Sequence, residues 1–577
     1  MPRVVSRRKL LRGSAKAALG AIVLKDLDFD AWALSSTSQT VAPQSPRLRA
    51  AFDRLDEFVA RHLVETGAPG MTLAIADRNG PLRTAHYGFA DLKVGAKVGP
   101  QTLFEIGSIS KSFVAIAAVD LAEEGKLDLQ KPVIDYLPWL KVETSFPPFT
   151  AHHLLSHTSG LSSVPLLIRV AVTPLRVGFE PGTRFLYSNI GYVLLGFLLE
   201  SLDERPLGEI LQRRVLDMLG MKATNAIITN ATRERLAVGY APFYDDRPFP
   251  RRGKLAEAPW IEVPESAGSI ASPASDMVNY LHMLLNRGAT RQGRIMSEKS
   301  FALFTAPVIK APFRGEEASY AYGLWSSDID GHTLLRHTGG MIAFSSALFA
   351  DVTAGLAVFA SVNARLWGGY RPVAVTRYAL DLLSAVQRKS ELLPPPKPLP
   401  APDLIPNAAD YTGTFTSPEG KKLVLVADGE RLLLQHNGNR IVLEQAGKDR
   451  FIVKHPDFEL FMLGFGREKD LVVEAFHGFN WWPNERYTGP KTFTYPKAWN
   501  AYAGHYRSDS PWYGSTRVVI RKGQLLLEGD QPLTEINSGL FQPEGEDIER
   551  IAFDTIVDGH AFHVNYSGID FYRTTTP

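Results

Sequence analysis

Ser108 and Lys111 stand three residues apart in Gly107-Ser108-Ile109-Ser110-Lys111, and apolar residues at helical spacing follow from Ser112 to Glu124. Positions i and i+3 of a helix share a face, so the hydroxyl and the amine come within reach of one another. A serine at the start of that helix lies near the positive end of the dipole, where developing negative charge is favoured. The pair therefore offers a nucleophile and a nitrogen that holds or moves its proton. The spacing alone selects little, because Ser-x-x-Lys also occurs at Ser6 and Lys9 in a basic N-terminal run.

Two later stretches add to it. Tyr187-Ser188-Asn189 closes the run that begins at Pro181-Gly182-Thr183, and His337-Thr338-Gly339-Gly340 follows Leu334-Leu335-Arg336. A phenol beside cationic side chains can serve as general base and then as acid, although Tyr187 taken alone reads first as a buried side chain with a satisfied hydroxyl. Glycines at the end of a strand let a substrate approach its edge.

The run from Phe104 to Phe113 resembles the nucleophile segment of class C β-lactamases, DD-carboxypeptidases and their esterase relatives, and the other two stretches match that superfamily's Tyr-x-Asn and Lys-Thr-Gly elements in order. The resemblance covers residues 45–390 and implies acyl transfer through an ester on Ser108. It implies that Lys111 and Tyr187 relay the proton and that the amides of Ser108 and Gly340 hold the oxyanion. Asn189 then orients Lys111 and the substrate amide, and His337, Thr338 and Gly339 line the substrate. One departure matters. Most β-lactamases carry lysine where this chain has His337, while histidine is familiar in the D-aminopeptidase, carboxypeptidase and esterase branches. A neutral histidine weakens the grip on a substrate carboxylate at pH 7. The runs from Leu154 to Leu161 and from Ala267 to Ser272 also match the superfamily, and are expected to shape loops around the cleft.

Other chemistries find less support. His152, His153 and His157 lack a carboxylate or second histidine motif that would complete a metal site, and read as loop or surface histidines. The Gly-x-Ser-x-Gly elbow is absent, as are glycine-rich phosphate loops. With no cysteine in 577 residues, thiolate metal sites, disulfides and cysteine nucleophiles are excluded. A formal net charge of +2 gives no reason to expect nucleic acid. No metal or organic cofactor is expected.

The elements that must position these residues are an α/β (α+β) catalytic domain of the β-lactamase/transpeptidase type over 45–390 and a proline-rich linker over 391–403. The alternating run from Met71 to Ala76 reads as a strand of the first domain. Beyond the linker, apolar runs split by Asp428-Gly429 and Asn437-Gly438 read as hairpins. Tyr411-Thr412-Gly413-Thr414-Phe415 recurs as Tyr502-Ala503-Gly504-His505-Tyr506, each followed by a leucine triplet. Two small antiparallel, lipocalin-like barrels are expected, over 404–495 and 496–577, the alternative being one larger β domain. The cluster from Phe476 to Trp482 reads as barrel core or as a loop reaching the cleft.

Residues 1–33 read as a twin-arginine-type export signal, with Arg7-Arg8, a mildly apolar run from Ala15 to Leu24 and small residues at Ala31 and Ala33. The alternative is a basic, unstructured N-terminus. The apolar run is too short for a permanent membrane span. The expectation is an exported, periplasmic hydrolase acting on a small peptide or ester. A peptidase on short or unusual peptides, including D-residue peptides, comes first; an esterase or β-lactam hydrolase is the alternative, and a non-catalytic wall-binding protein is the reading from another class.

Overall fold

A computed structural model describes residues 36–40, 45–163, 174–311, 318–366, 370–546 and 548–574. The expected export signal and its cleavage site lie outside these residues.

An antiparallel sheet organises the first domain. From edge to edge it runs through residues 36–40, 80–91, 70–77, 356–362, 345–351, 332–340, 325–329, 319–320 and 309–310. Successive side chains of a strand point to opposite faces, and here both faces are covered. Leu73 and Ile75 pack with the helices Pro46–Thr66 and Val373–Gln387, whereas Ala74 and Ala76 face the helices Ser110–Glu123, Asn189–Asp203 and Ala274–Leu285. A strand buried on two faces carries apolar residues at every position, which is why the run from Met71 to Ala76 belongs to the longer strand Gly70–Asp77. The helix Ser110–Glu123 is buried from Ser110 through Val119, so it forms the centre of the helical layer.

Two eight-stranded antiparallel units follow. The first is built from strands between Gly413 and Pro483, and the second is a closed barrel between Gly504 and Thr574. Asp428-Gly429 and Asn437-Gly438 lie between paired strands, with Gly429 and Gly438 at positive φ. The two copies of the weak repeat each open a unit. Tyr411 packs on Phe451 and Phe465, and Tyr502 packs on Phe541 and Phe553. Phe476 and Trp482 are buried in the first unit, while Phe479 is exposed; the cluster is barrel wall.

The proline-rich stretch lies along the catalytic domain. Proline removes amide donors but leaves every carbonyl free to accept. Arg54 donates to the carbonyls of Leu392 and Leu393, Arg61 to that of Pro396 and Arg251 to that of Pro400. No helix among the described residues is long and apolar enough to cross a membrane.

Candidate active site

Ser108 sits in a 3₁₀ turn, Gly107–Ile109, that leads directly into the helix Ser110–Glu123. Gly107 takes φ 54°, and a Cβ there would lie 2.7 Å from the Gly340 amide nitrogen. A Cβ on Gly339 would collide with the carbonyl oxygen of Ile106 and with Ser346 Oγ, which itself donates to that carbonyl at 2.7 Å. Both glycines are therefore required by close approach, and the nucleophile turn is pressed against the end of the strand His332–Gly340. The Gly340 amide is thereby brought beside the Ser108 turn, where an oxyanion would be held.

Lys111 is fully buried one helical turn on. Its Nζ donates to Ser108 Oγ at 3.1 Å, Asn189 Oδ1 at 2.8 Å and the Ala267 carbonyl at 2.7 Å. Burial disfavours the charged form and holds the pKa well below the ordinary lysine value. In its neutral form the amine keeps its bonds to Asn189 and Ala267 and turns its lone pair toward the Ser108 hydroxyl. The same nitrogen lies 5.1 Å from the centre of the Tyr187 ring.

Ser188 caps the helix Asn189–Asp203, its Oγ accepting from the Gly191 amide at 3.2 Å and donating to the Ser162 carbonyl at 2.8 Å. This cap holds Tyr187 and Asn189 on either side of it. His157 completes the support. It is buried, accepts from the Ser188 amide at Nδ1 (3.1 Å), and sets its ring centre 4.1 Å from that of Tyr187 at a tilt of 38°. Burial pushes its pKa well below the ordinary histidine value, with Lys111 and His337 adding to the effect. His157 does lie in a turn, as expected, but the reading of it as a surface side chain is corrected, because its partner Ser188 stands 31 positions away and leaves no local signature. His152 bonds Tyr322, and His153 accepts from the Thr150 amide, so neither joins a metal cluster with it.

His337 lies in the strand beside Thr338 and Gly339, but its imidazole turns inward. Nδ1 faces the Thr338 carbonyl at 2.8 Å and so carries hydrogen, and Nε2 meets the Tyr320 hydroxyl at 3.0 Å. Two participants left no motif. The Ala267 carbonyl is a Lys111 acceptor within a run expected only to shape a loop, and the Arg371 guanidinium lies over Gly340, donating to Ser345 Oγ at 3.3 Å and the Tyr370 carbonyl at 3.0 Å.

A serine in contact with a buried lysine, an amide side chain and a strand-end glycine is a known constellation, and a family model described as Beta-lactamase matches residues 52–383. The chain belongs to the beta-lactamase family. This is a superfamily of serine hydrolases that includes penicillin-binding-protein-like members. A beta-lactamase of Providencia stuartii is 31% identical over 236 residues, 40% of this chain and 59% of that protein, so the match spans less than two thirds of the relative. Esterase EstB of Burkholderia gladioli is 30% identical over 37% of this chain and 60% of its own. The unguisins hydrolase ungD' of Aspergillus campestris is 24% identical over 427 residues, 64% of this chain and 77% of that enzyme. Among solved structures, the octameric penicillin-binding protein homologue from Pyrococcus abyssi shares the fold with a TM-score of 0.51 at 23% identity, over 75% of this chain and all of that one.

Proposed function

We propose that this chain is an exported, periplasmic serine peptidase that cleaves short peptides, D-residue-containing ones included, through an acyl-enzyme on Ser108. The observation that carries the serine chemistry is the buried Lys111 Nζ, held within hydrogen-bond reach of Ser108 Oγ, Asn189 Oδ1 and the Ala267 carbonyl. Neutral Lys111 takes the Ser108 proton as Oγ attacks the carbonyl carbon, and the amides of Ser108 and Gly340 receive the negative charge on oxygen. Collapse expels the amine, which takes its proton through Tyr187. Water then gives a proton through Tyr187 to neutral Lys111 as it attacks the ester, and that proton returns to Ser108 Oγ as the acyl group leaves.

Arg371 favours a peptide over a simple ester. His337 is engaged with Tyr320 and the Thr338 carbonyl, so the cation that a lysine would bring is missing there. The Arg371 guanidinium above Gly340 supplies a positive charge at the end of the same strand, suited to a peptide carboxylate. A relative named for hydrolysing unguisins aligns over 64% of this chain and 77% of its own. The second reading is an esterase, favoured by the 30% identity to EstB.

The test has two stages. Ser108→Ala should abolish labelling by a fluorophosphonate, and labelling retained in the variant would overturn the assignment of the nucleophile. Di- and tripeptides with L or D termini, read by mass spectrometry beside p-nitrophenyl butyrate and nitrocefin, then separate the readings. Turnover confined to the butyrate ester would replace peptidase by esterase.

A further inference from the structure

Three residues before the nucleophile, Glu105 is 8% exposed and lines a cavity of about 150 Å³. Among the described residues its carboxyl has no hydrogen-bonding or ionic partner. Burial alone acts on its acidity, pushing the pKa up to about 8. Buried polar groups in folded proteins are nearly always paired, so an unpaired carboxyl opening on a cavity is the mark of a ligand contact.

The walls narrow the chemistry. Trp260 of the catalytic domain, Trp512 of the second barrel and Phe344 supply aromatic surface, and Met341 and Ile342 continue the strand from Gly340. Met341 Sδ lies 3.2 Å from where a Cβ of Gly268 would stand, and that same point is 3.8 Å from Gly107. The cavity is thus separated from the nucleophile turn by one side chain. Aromatic rings around a carboxylate form a setting for a cation, which gains ring attraction and a counter-charge together. The other charged groups at the walls are Arg233, whose guanidinium lies 5.3 Å from the centre of the Trp260 ring, and Glu257, both exposed at the rim.

We propose that Glu105, Trp260 and Trp512 form a subsite for a primary ammonium group on the substrate, beside the acyl-transfer site. This rests on the serine hydrolase reading above and adds the substrate's charge to it. The second barrel, through Trp512, then contributes directly to specificity.

A pair of matched p-nitrophenyl esters tests it, 6-aminohexanoate against heptanoate. The full-length protein should favour the ammonium ester in kcat/KM, and Glu105→Gln should cut that ratio about tenfold or more. The preference should also grow from pH 6.5 to 8.5 as Glu105 ionises, a trend that Glu105→Gln removes; Lys111 and Tyr187 serve both esters and cancel in the ratio. Should Glu105→Gln fail to fold, the unaltered protein still decides. n-Butylammonium should inhibit heptanoate hydrolysis more strongly than 1-butanol does. Equal inhibition, or a ratio indifferent to Glu105→Gln, overturns the subsite alone. Absence of fluorophosphonate labelling at Ser108 overturns the hydrolase reading and the subsite with it.

Discussion

Ser162 Oγ of the catalytic domain donates to Glu549 Oε2 of the second barrel at 2.6 Å, across 387 positions of chain. Glu549 is 1% exposed, and its Oε1 accepts from the Ser163 amide at 2.8 Å and Ser163 Oγ at 2.9 Å. The Ser162 carbonyl in turn accepts from Ser188 Oγ, the cap between Tyr187 and Asn189. Glu549 is thus a positioning residue two bonds removed from the chemistry. Glu549→Ala removes the shared acceptor of three part-buried donors, at about 0.5–1.5 kcal/mol each. The expected result is a lower melting temperature and a kcat reduced roughly tenfold with KM little changed, since no substrate contact is lost. Glu549→Gln, which keeps one acceptor oxygen, should restore part of the kcat. A variant with altered KM and normal kcat would place Glu549 in substrate binding instead.

In the proposed mechanism Lys111 sets the pH dependence of acylation. Burial lowers its pKa well below 10.5, and the amine form is the one that accepts the Ser108 proton. The rate of fluorophosphonate labelling should therefore rise with pH through that lowered value, with its rising limb below the range of an ordinary lysine. Lys111→Met removes the proton acceptor and should slow labelling by about 10²–10⁴-fold. It should flatten the limb as well. A limb that survives in the variant would assign the titration to another group.

Ser108, Lys111, Tyr187, Asn189 and the strand from His337 to Gly340 were legible in sequence because each sits in a short run whose order is itself informative. The strand Gly70–Asp77 and the hairpin at Asn437-Gly438 were legible for a simpler reason, since pattern and turn chemistry are local. Contacts across long separations were not. His157 meets Ser188 across 31 positions, Lys111 meets the Ala267 carbonyl across 156, and a backbone carbonyl has no residue type to betray it. The direction of the His337 side chain was equally hidden, because it depends on Tyr320 closing from the neighbouring part of the sheet.

Buried imidazoles make stability fall on acidification, His62, His86 and His157 among them. Burial lowers His62 and His86 to about 4 in the fold against 6.5 when free, and holds His157 well below 6.5 as well. As pH falls below 6.5 the unfolded chain takes up protons that the fold refuses. Their contribution is complete above 6.5 and is lost progressively toward 4. Glu105, raised to about 8, acts with the opposite sign over part of that window, so the slope is best read by difference. His62 stacks on Phe58 with ring centres 5.4 Å apart, and His62→Phe keeps an aromatic ring there while removing the titration. The melting temperature of His62→Phe should fall less steeply than that of the unaltered protein between pH 6.5 and 4. Parallel curves would mean that His62 does not titrate differently in the two states.

Gly339 offers the sharpest steric test of how the nucleophile is placed. Its position has no room for a Cβ, because the Ile106 carbonyl and Ser346 Oγ occupy that space. Gly339→Ala must push the turn Gly107–Ile109 away from the strand, and the Ser346–Ile106 bond breaks with it. The separation of the Ser108 and Gly340 amides then grows, while Lys111, anchored by Asn189 and Ala267 on the other side, stays in place. Losing one oxyanion donor costs about 10²–10³ in kcat. The expected outcome is a loss of ester turnover of that order with fluorophosphonate labelling slowed in parallel. Ser346→Ala separates the two effects, since it removes the hydroxyl but leaves the glycine. It should lower the melting temperature while keeping most of the turnover. Normal activity in Gly339→Ala would show that the turn and the strand end do not act together on the oxyanion.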